Sequence, residues 1–188
     1  MSFLGWFAGR AHPLEDAEAF ARFYEDTHLN IFRYVMASCG GVESLAEDVT
    51  AEAYLRAWKS RGNFSGTPDA AFGWVLTIAR HLLMDHFRAS SLHPPANDPV
   101  EDLQEDRSGN ETILIRQELT AQLIGALQRL PENRREMVIL RYVLGWQVNQ
   151  IARHLSMPPN TISVSIHRSL KQLQEFLALQ GVSNERTE

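Results

Sequence analysis

An all-α chain of two small helical modules joined by a flexible acidic linker is what three features of the sequence predict. Apolar residues recur at helical spacing through most of the 188 residues. Sustained two-residue alternation is missing, as are Asn-Gly and Asp-Gly hairpin turns. The stretch "ASSLHPPANDPVEDLQEDRSGN" at 89–110, with three prolines and many carboxylates, interrupts the helical pattern. The resulting division is a tail (1–15), a first module (16–90), the linker (91–112), a second module (113–180) and a C-terminal tail (181–188).

The elements follow in order. Phe20, Phe23, Tyr24, Ile31 and Val35 share one helical face, and Gly40-Gly41 ends it. Leu45, Val49, Ala53 and Ala57 fall four apart and predict a second helix. Ser44 with Glu47 three residues on has the spacing of a capping box. "RGNFSGTPD" at 61–69 reads as a loop, and a third helix runs on to Arg88. Beyond the linker, "ETILIRQELTAQLIGALQRL" is amphipathic, and Pro131 opens the next helix, which Gly145 stops. Val148, Ile151, Ala152 and Leu155 mark a short helix. Ile162, Ile166, Leu170, Leu173 and Leu177 form the seam of the last one.

Charge is unevenly spread. The net of −5 divides into −3 over residues 1–90, −5 over 91–112 and +3 over 113–188. Cysteine occurs once, at Cys39, so a disulfide within the chain is impossible, and no basic neighbour lowers that thiol's pKa. No segment has the length or apolarity of a membrane span or the layout of a signal peptide, so no membrane insertion is expected and the cytoplasm is the default compartment. No Gly-rich phosphate loop or nucleophile–base set points to an enzyme, and no cofactor is implied. His81, Asp85 and His86 lie close on one helix, but without a metal-binding motif they do not read as a metal site. The apolar "FLGWF" at 3–7 fits a docking segment and a frayed tail equally.

The stretch "WQVNQIARHLSMPPNTISVSIHRSLKQL" (146–173) places two amphipathic helices around a tight break. Such a pair can set its second helix in a DNA major groove. The outer face of that helix carries Asn160, Ser163, Val164, His167, Arg168 and Lys171, side chains able to meet base edges or phosphates. An ordinary helical hairpin with a solvated face fits this pair equally well. Pro158 and Pro159 lack backbone N–H groups, which predicts a rigid helix start without a side-chain cap.

"LPENRREMVILRYVLGWQVNQIARHLSMPPNTISVSIHRSLKQL" (130–173) resembles the −35-binding domain of bacterial RNA polymerase sigma factors. "AEDVTAEAYLRAW" (46–58) and "FGWVLTIARHLLMDHFR" (72–88) resemble the polymerase-docking and −10-recognition helices of the same family. Without further domains, the chain is similar to the small extracytoplasmic-function (ECF) group of the sigma-70 superfamily. The resemblance implies a transcription initiation factor that binds core RNA polymerase, chiefly the β′ coiled coil and also the β subunit, and promoter DNA. An anti-sigma factor is an expected partner. It assigns polymerase docking to Asp48, Glu52, Leu55 and Arg56, with Ala51 where the family usually has Gln. It assigns −10 DNA to Asn63, Phe64, Ser65, Trp74, Arg80, His81 and Arg88, where for Trp74 a core role competes. The −35 set it implies is Arg141, Pro159, Asn160, Ser163, Val164, His167, Arg168 and Lys171, with Ser163 and Ser165 where relatives carry Lys and Arg. The linker acids Asp98, Glu101, Asp102, Glu105 and Asp106 would thread into basic polymerase channels. Free in solution, the two modules are expected to pack together and cover their DNA faces. A sigma-like mimic that titrates an anti-sigma factor and a stand-alone helix-turn-helix regulator are the competing readings.

Overall fold

The computed structural model describes residues 12–92 and 111–179. The "FLGWF" segment, the linker carboxylates and the C-terminal tail lie outside these residues. Within them the chain forms seven α-helices and no strand.

Helix α1 (Ala17–Ser38) begins where the Asp16 carboxylate accepts the Ala19 N–H at 2.8 Å, satisfying one of the free donors of its first turn. It buries Phe23, Ile31 and Val35 and ends before Gly40 and Gly41, whose φ of +81° and +86° suit residues without a Cβ. Helix α2 (Glu43–Ser60) starts two residues earlier than a cap at Ser44 predicts. Its cap is Val42, which offers no side-chain acceptor, so the expected capping box does not form. The left-handed Gly41 delivers the chain directly into the helix, leaving Ser44 inside the first turn. Ala46, Ala53 and Ala57 of α2 are fully buried, and their small size lets α1 and α3 close on it. The hydroxyls of Thr27 (α1) and Tyr54 (α2) meet at 2.6 Å inside this core.

Two short 3-10 turns, Arg61–Asn63 and Pro68–Ala70, make up the connection to α3 (Ala71–Leu92), which continues past Arg88. In the second module α4 (Glu111–Gln128) leads to α5 (Glu132–Tyr142), with Pro131 at the cap position just outside it. Helix α6 (Val148–His154) is opened by a reciprocal box in which the Gln147 N–H donates to the Gln150 side chain at 2.7 Å. Helix α7 (Pro159–Leu179) follows, and the Pro158 carbonyl accepts the Ile162 N–H, so Pro158 sits at the cap position.

The two modules share one hydrophobic core. Phe72, Val75 and Leu76 of α3 belong to the same buried cluster as Ile139, Leu140, Trp146, Ile151 and Ile162. Each large aliphatic or aromatic side chain in it contributes on the order of 1.5–3 kcal/mol by leaving water. A smaller cluster (Ala126, Leu127, Leu130, Val138, Leu173) holds α4, α5 and α7 together within the second module.

Candidate polymerase and nucleic-acid interfaces

On α2, Asp48, Leu55 and Arg56 are exposed and Glu52 is half-buried, all along one face. The Glu52 carboxylate accepts the Arg56 Nε–H at 2.7 Å, an i,i+4 pair with both ends in solvent. Such a pair adds only about 0.3–0.5 kcal/mol to the helix, so it orders the face more than it stabilises the fold. Beside it lies an apolar groove of about 470 Å³ between α1 and α2, lined by Phe20, Tyr24, Ala51, Tyr54, Leu55 and Trp58. Sequence reasoning found Leu55 but missed the groove, because half of its wall comes from α1. Ala51 forms part of its surface.

The loop residues Asn63 and Ser65 are exposed and Phe64 is half-buried. The Phe64 ring lies 5.0 Å from that of Trp74 and 5.7 Å from His12. A Cβ on Gly66 would come within 2.5 Å of the Phe64 ring, so the glycine permits the ring's position. Trp74, His81 and Arg88 repeat every seven residues and share one face of α3. His81 and Arg88 are exposed, and Arg88 pairs with Asp85 at 3.2 Å. Phe64 and Trp74 are thus in ring contact, and His81 and Arg88 continue the same face of α3. Arg61, whose guanidinium lies 3.6 Å over the Trp58 ring, borders this loop and was not singled out from sequence. Among the described residues no group of three or more His, Cys, Asp or Glu could hold a metal ion.

Arg80 stands apart from that surface. It faces the second module, where its Nε lies 3.0 Å from Glu136 Oε1. Glu136 is almost wholly buried, and burial raises its pKa against the lowering effect of Arg80. Tyr34 donates to the same carboxylate at 3.4 Å, and burial followed by the Glu136 charge holds the phenol well above its ordinary pKa. Neighbouring His154 is pushed down to about 4, first by burial and then by the Arg80 charge. The sequence did carry a signal for Glu136: it falls on the apolar stripe that continues to Leu140.

On α7, Pro159, Asn160, Ser163, Val164, His167, Arg168 and Lys171 are all exposed, on the side opposite the buried Ile162, Ile166 and Leu173. Packing of the modules thus leaves this face open, contrary to the expectation that it would be covered. Ser163 donates to the Pro159 carbonyl at 3.1 Å, while Ser165 is half-buried on the shoulder of the helix. Arg141 is separate from the set: half-buried on α5, it donates to the Trp146 carbonyl at 2.9 Å and braces the turn before α6. The α6–α7 turn places Ser156 at φ +53°, the one non-glycine residue with positive φ among those described.

Comparison with known proteins matches these two halves separately. Residues 23–92 match the family described as Sigma-70 region 2, and residues 120–173 match Sigma-70, region 4. The chain is 31% identical over 165 residues to the ECF RNA polymerase sigma factor BldN of Streptomyces coelicolor, covering 86% of this chain and spanning 61% of that relative's length. It is 30% identical over 142 residues to the RNA polymerase sigma-H factor of Pseudomonas aeruginosa, covering 70% of this chain and 72% of the relative. In fold it is similar to the sigma factor RpoE, crystallised with the anti-sigma factor NepR from Bartonella quintana (TM-score 0.65, 19% identity, 86% of this chain and 98% of that one). It is equally similar to CnrH in complex with the cytosolic domain of CnrY (TM-score 0.65, 19% identity, 96% and 97%). With Sigma-70 region 2 matched ahead of region 4 and sigma factors among its relatives, the chain belongs to the ECF group of the sigma-70 superfamily of RNA polymerase sigma factors.

Proposed function

We propose that this chain is a transcription initiation factor that binds core RNA polymerase, directs it to specific promoters through their −35 and −10 elements, and assists melting of the −10 region. The observation that carries this reading is the ordered match of region 2 and region 4, each over the helices that bear the exposed surfaces described above. Residues 16–90 form the polymerase-binding and −10 module, and 113–180 the −35 module, with 91–112 as an acidic tether.

Helix α2 docks onto the β′ coiled coil through Asp48, Glu52, Leu55 and Arg56, and the neighbouring apolar groove takes a nonpolar side chain of that partner. At the −10 element, extruding a base costs a few kcal/mol. Stacking on an aromatic side chain returns about 1–3 kcal/mol per base. Phe64 and Trp74 supply that surface, Asn63 and Ser65 supply polar contacts, and His81, Arg88 and a released Arg80 follow the backbone. At the −35 element Asn160, Ser163, Val164 and His167 face bases, and Arg168 and Lys171 face phosphates, with Pro159 at the helix start, while Arg141 holds the turn before α6 through the Trp146 carbonyl. With serines at 163 and 165 the reading helix makes fewer phosphate contacts, and the polymerase supplies the missing affinity. Each absent contact removes about one unit from the salt slope of binding.

The sigma factor RpoE of similar fold was crystallised with the anti-sigma factor NepR, which supports an anti-sigma partner for this chain as well. No described helix is long and apolar enough to cross a membrane, and the factor works in the cytoplasm beside the polymerase. It carries no catalytic role, since polymerisation chemistry belongs to the partner enzyme.

The test is in vitro transcription with core polymerase and a genomic promoter library, reading RNA 5′ ends. Start sites that disappear without this protein and share −35 and −10 sequences support the reading. Core binding without initiation would instead favour the mimic, and DNA binding without core binding a stand-alone regulator.

A further inference from the structure

Ahead of α1 the chain makes a tight turn that ends against the loop between α2 and α3. Pro13 and Leu14 are buried, and Leu14 belongs to the main core, which fixes the turn in place. The Leu14 N–H donates to His12 Nδ1 at 3.2 Å, and the Glu15 N–H donates to the His12 carbonyl at 3.0 Å. With Nδ1 accepting, a neutral imidazole carries its proton on Nε2. That Nε2 lies 3.4 Å from the Gly66 carbonyl, so the ring donates there across 54 residues of chain.

The loop it reaches is the one that carries Asn63, Phe64 and Ser65. The loop's own backbone bonds are local: the Phe64 N–H donates to the Arg61 carbonyl and the Ala70 N–H to the Thr67 carbonyl. The Phe64 ring has His12 at 5.7 Å and Trp74 at 5.0 Å between centroids. Gly66 lies against that ring, where a Cβ would come within 2.5 Å of it. His12 therefore meets the loop twice, at the Gly66 carbonyl and at the Phe64 ring. It lies ahead of residues 23–92, the span matched to Sigma-70 region 2, so this chain's own N-terminal segment makes the contact.

We propose that His12 is a positioning residue for the −10 loop: it sets the Gly66 backbone and the Phe64 ring in place before a base is extruded. What the loop binds rests on the proposed function. The tether itself rests on the contacts above. A loop that samples other shapes must be ordered by the base it captures, and capture falls with the fraction of time the loop is competent. One ordinary hydrogen bond changes that fraction about 5-fold. The step affected is opening at −10. Docking of α2 on the polymerase uses another surface and is left unchanged.

The test uses the full chain as wild type, His12→Ala and His12→Gln. Alanine removes both contacts, while glutamine keeps a side-chain N–H of similar reach for the Gly66 carbonyl. Circular dichroism melting confirms that each variant is folded. Hydrogen exchange, read by mass spectrometry over residues 61–70, follows the loop in the free chain. His12→Ala should exchange there about 5-fold faster than wild type, one hydrogen bond's worth, with α5 unchanged. His12→Gln should stay within about 2-fold of wild type. Core RNA polymerase is then added with a duplex promoter taken from the wild-type start sites and carrying 2-aminopurine in its −10 element. His12→Ala should open it about 5-fold more slowly, with affinity for core polymerase unchanged within about 2-fold. His12→Gln should recover most of the rate.

Equal loop exchange in wild type and His12→Ala would overturn the tether. Faster exchange with an unchanged opening rate would overturn the positioning role. So would a loss of core affinity as large as the loss of opening, which is what a merely structural role gives. A wild type that opens no promoter with core polymerase would remove the promoter reading and this role with it. A wild type that opens promoters no faster than His12→Ala would remove this role alone.

Discussion

Trp146 meets Phe72 edge to face, with centroids 6.1 Å apart and ring planes at 66°, joining the turn before α6 to the first turn of α3. Trp146 is 4% exposed, and its other edge lies against His154 at 5.1 Å. Truncating it opens a cavity in the core that spans both modules. Trp146→Ala should lower unfolding stability by about 3–5 kcal/mol. Trp146→Phe should lose less than half of that, because it keeps the ring pair and removes an indole N–H that has no acceptor among the described residues. Urea unfolding of the two variants checks this; equal losses would mean that the ring contact contributes little.

A second prediction concerns backbone strain. Ser156 holds φ at +53° in the helix-turn-helix turn, a region that disfavours side chains by about 1 kcal/mol. The turn is otherwise well bonded, with the Met157 N–H on the Ala152 carbonyl at 2.9 Å. Ser156→Gly should therefore raise stability by roughly 0.5–1 kcal/mol, less the entropy that glycine adds to the unfolded chain. Ser156→Val should lower it by more. Identical melting temperatures for the glycine and valine variants would refute the strain.

The same residues show how much was legible. The stripes of α1, α2, α6 and α7 were readable because each buries one face at regular spacing, and that spacing is local. The exposed residues of α7 followed from the same periodicity. Ser156 was not recognisable as left-handed, since serine is an ordinary turn residue and nothing local demands a positive φ. Ser44 misled for the opposite reason: its spacing to Glu47 satisfies the capping pattern, but Gly41 starts the helix sooner. The Arg80–Glu136 pair lay beyond local reasoning, because the two residues meet only once the modules share a core. That tertiary event also moved Arg80 away from the companions assigned to it on α3.

Two buried threonines should respond in opposite directions to the same substitution. Thr27 Oγ1 is tied to the Tyr54 hydroxyl at 2.6 Å, and Tyr54 is 3% exposed. Thr27→Val strands that phenol and should lower stability by about 1–3 kcal/mol. Thr50 is 7% exposed and its hydroxyl has no partner among the described residues. Thr50→Val keeps the shape, removes an unpaired polar group and should raise stability by roughly 1 kcal/mol. For a chain of this size that is about 2–4 °C in Tm, within reach of calorimetry. A loss at both sites would show that Thr50 is hydrated in solution.

The acid side of the stability curve should be set by two groups that pull against each other. His154 has its pKa lowered to about 4 by burial and by Arg80, so the fold holds it neutral. The unfolded chain takes up that proton below about pH 6.5. The His154 contribution is complete above that pH and is lost as pH falls from about 6.5 towards 4, at no more than about 1.4 kcal/mol per unit. Glu136, facing Arg80 and Tyr34, has its pKa raised by burial. Its protonation is easier in the fold than in the unfolded chain, so it restores stability as pH falls through its raised value towards 4.5. His154→Gln removes the first effect and leaves the second. Urea midpoints at pH 7, 6 and 5 should fall for the wild type and stay level or rise for His154→Gln. Parallel curves would mean that His154 reaches solvent in the folded protein and that the seam is looser than its packing implies.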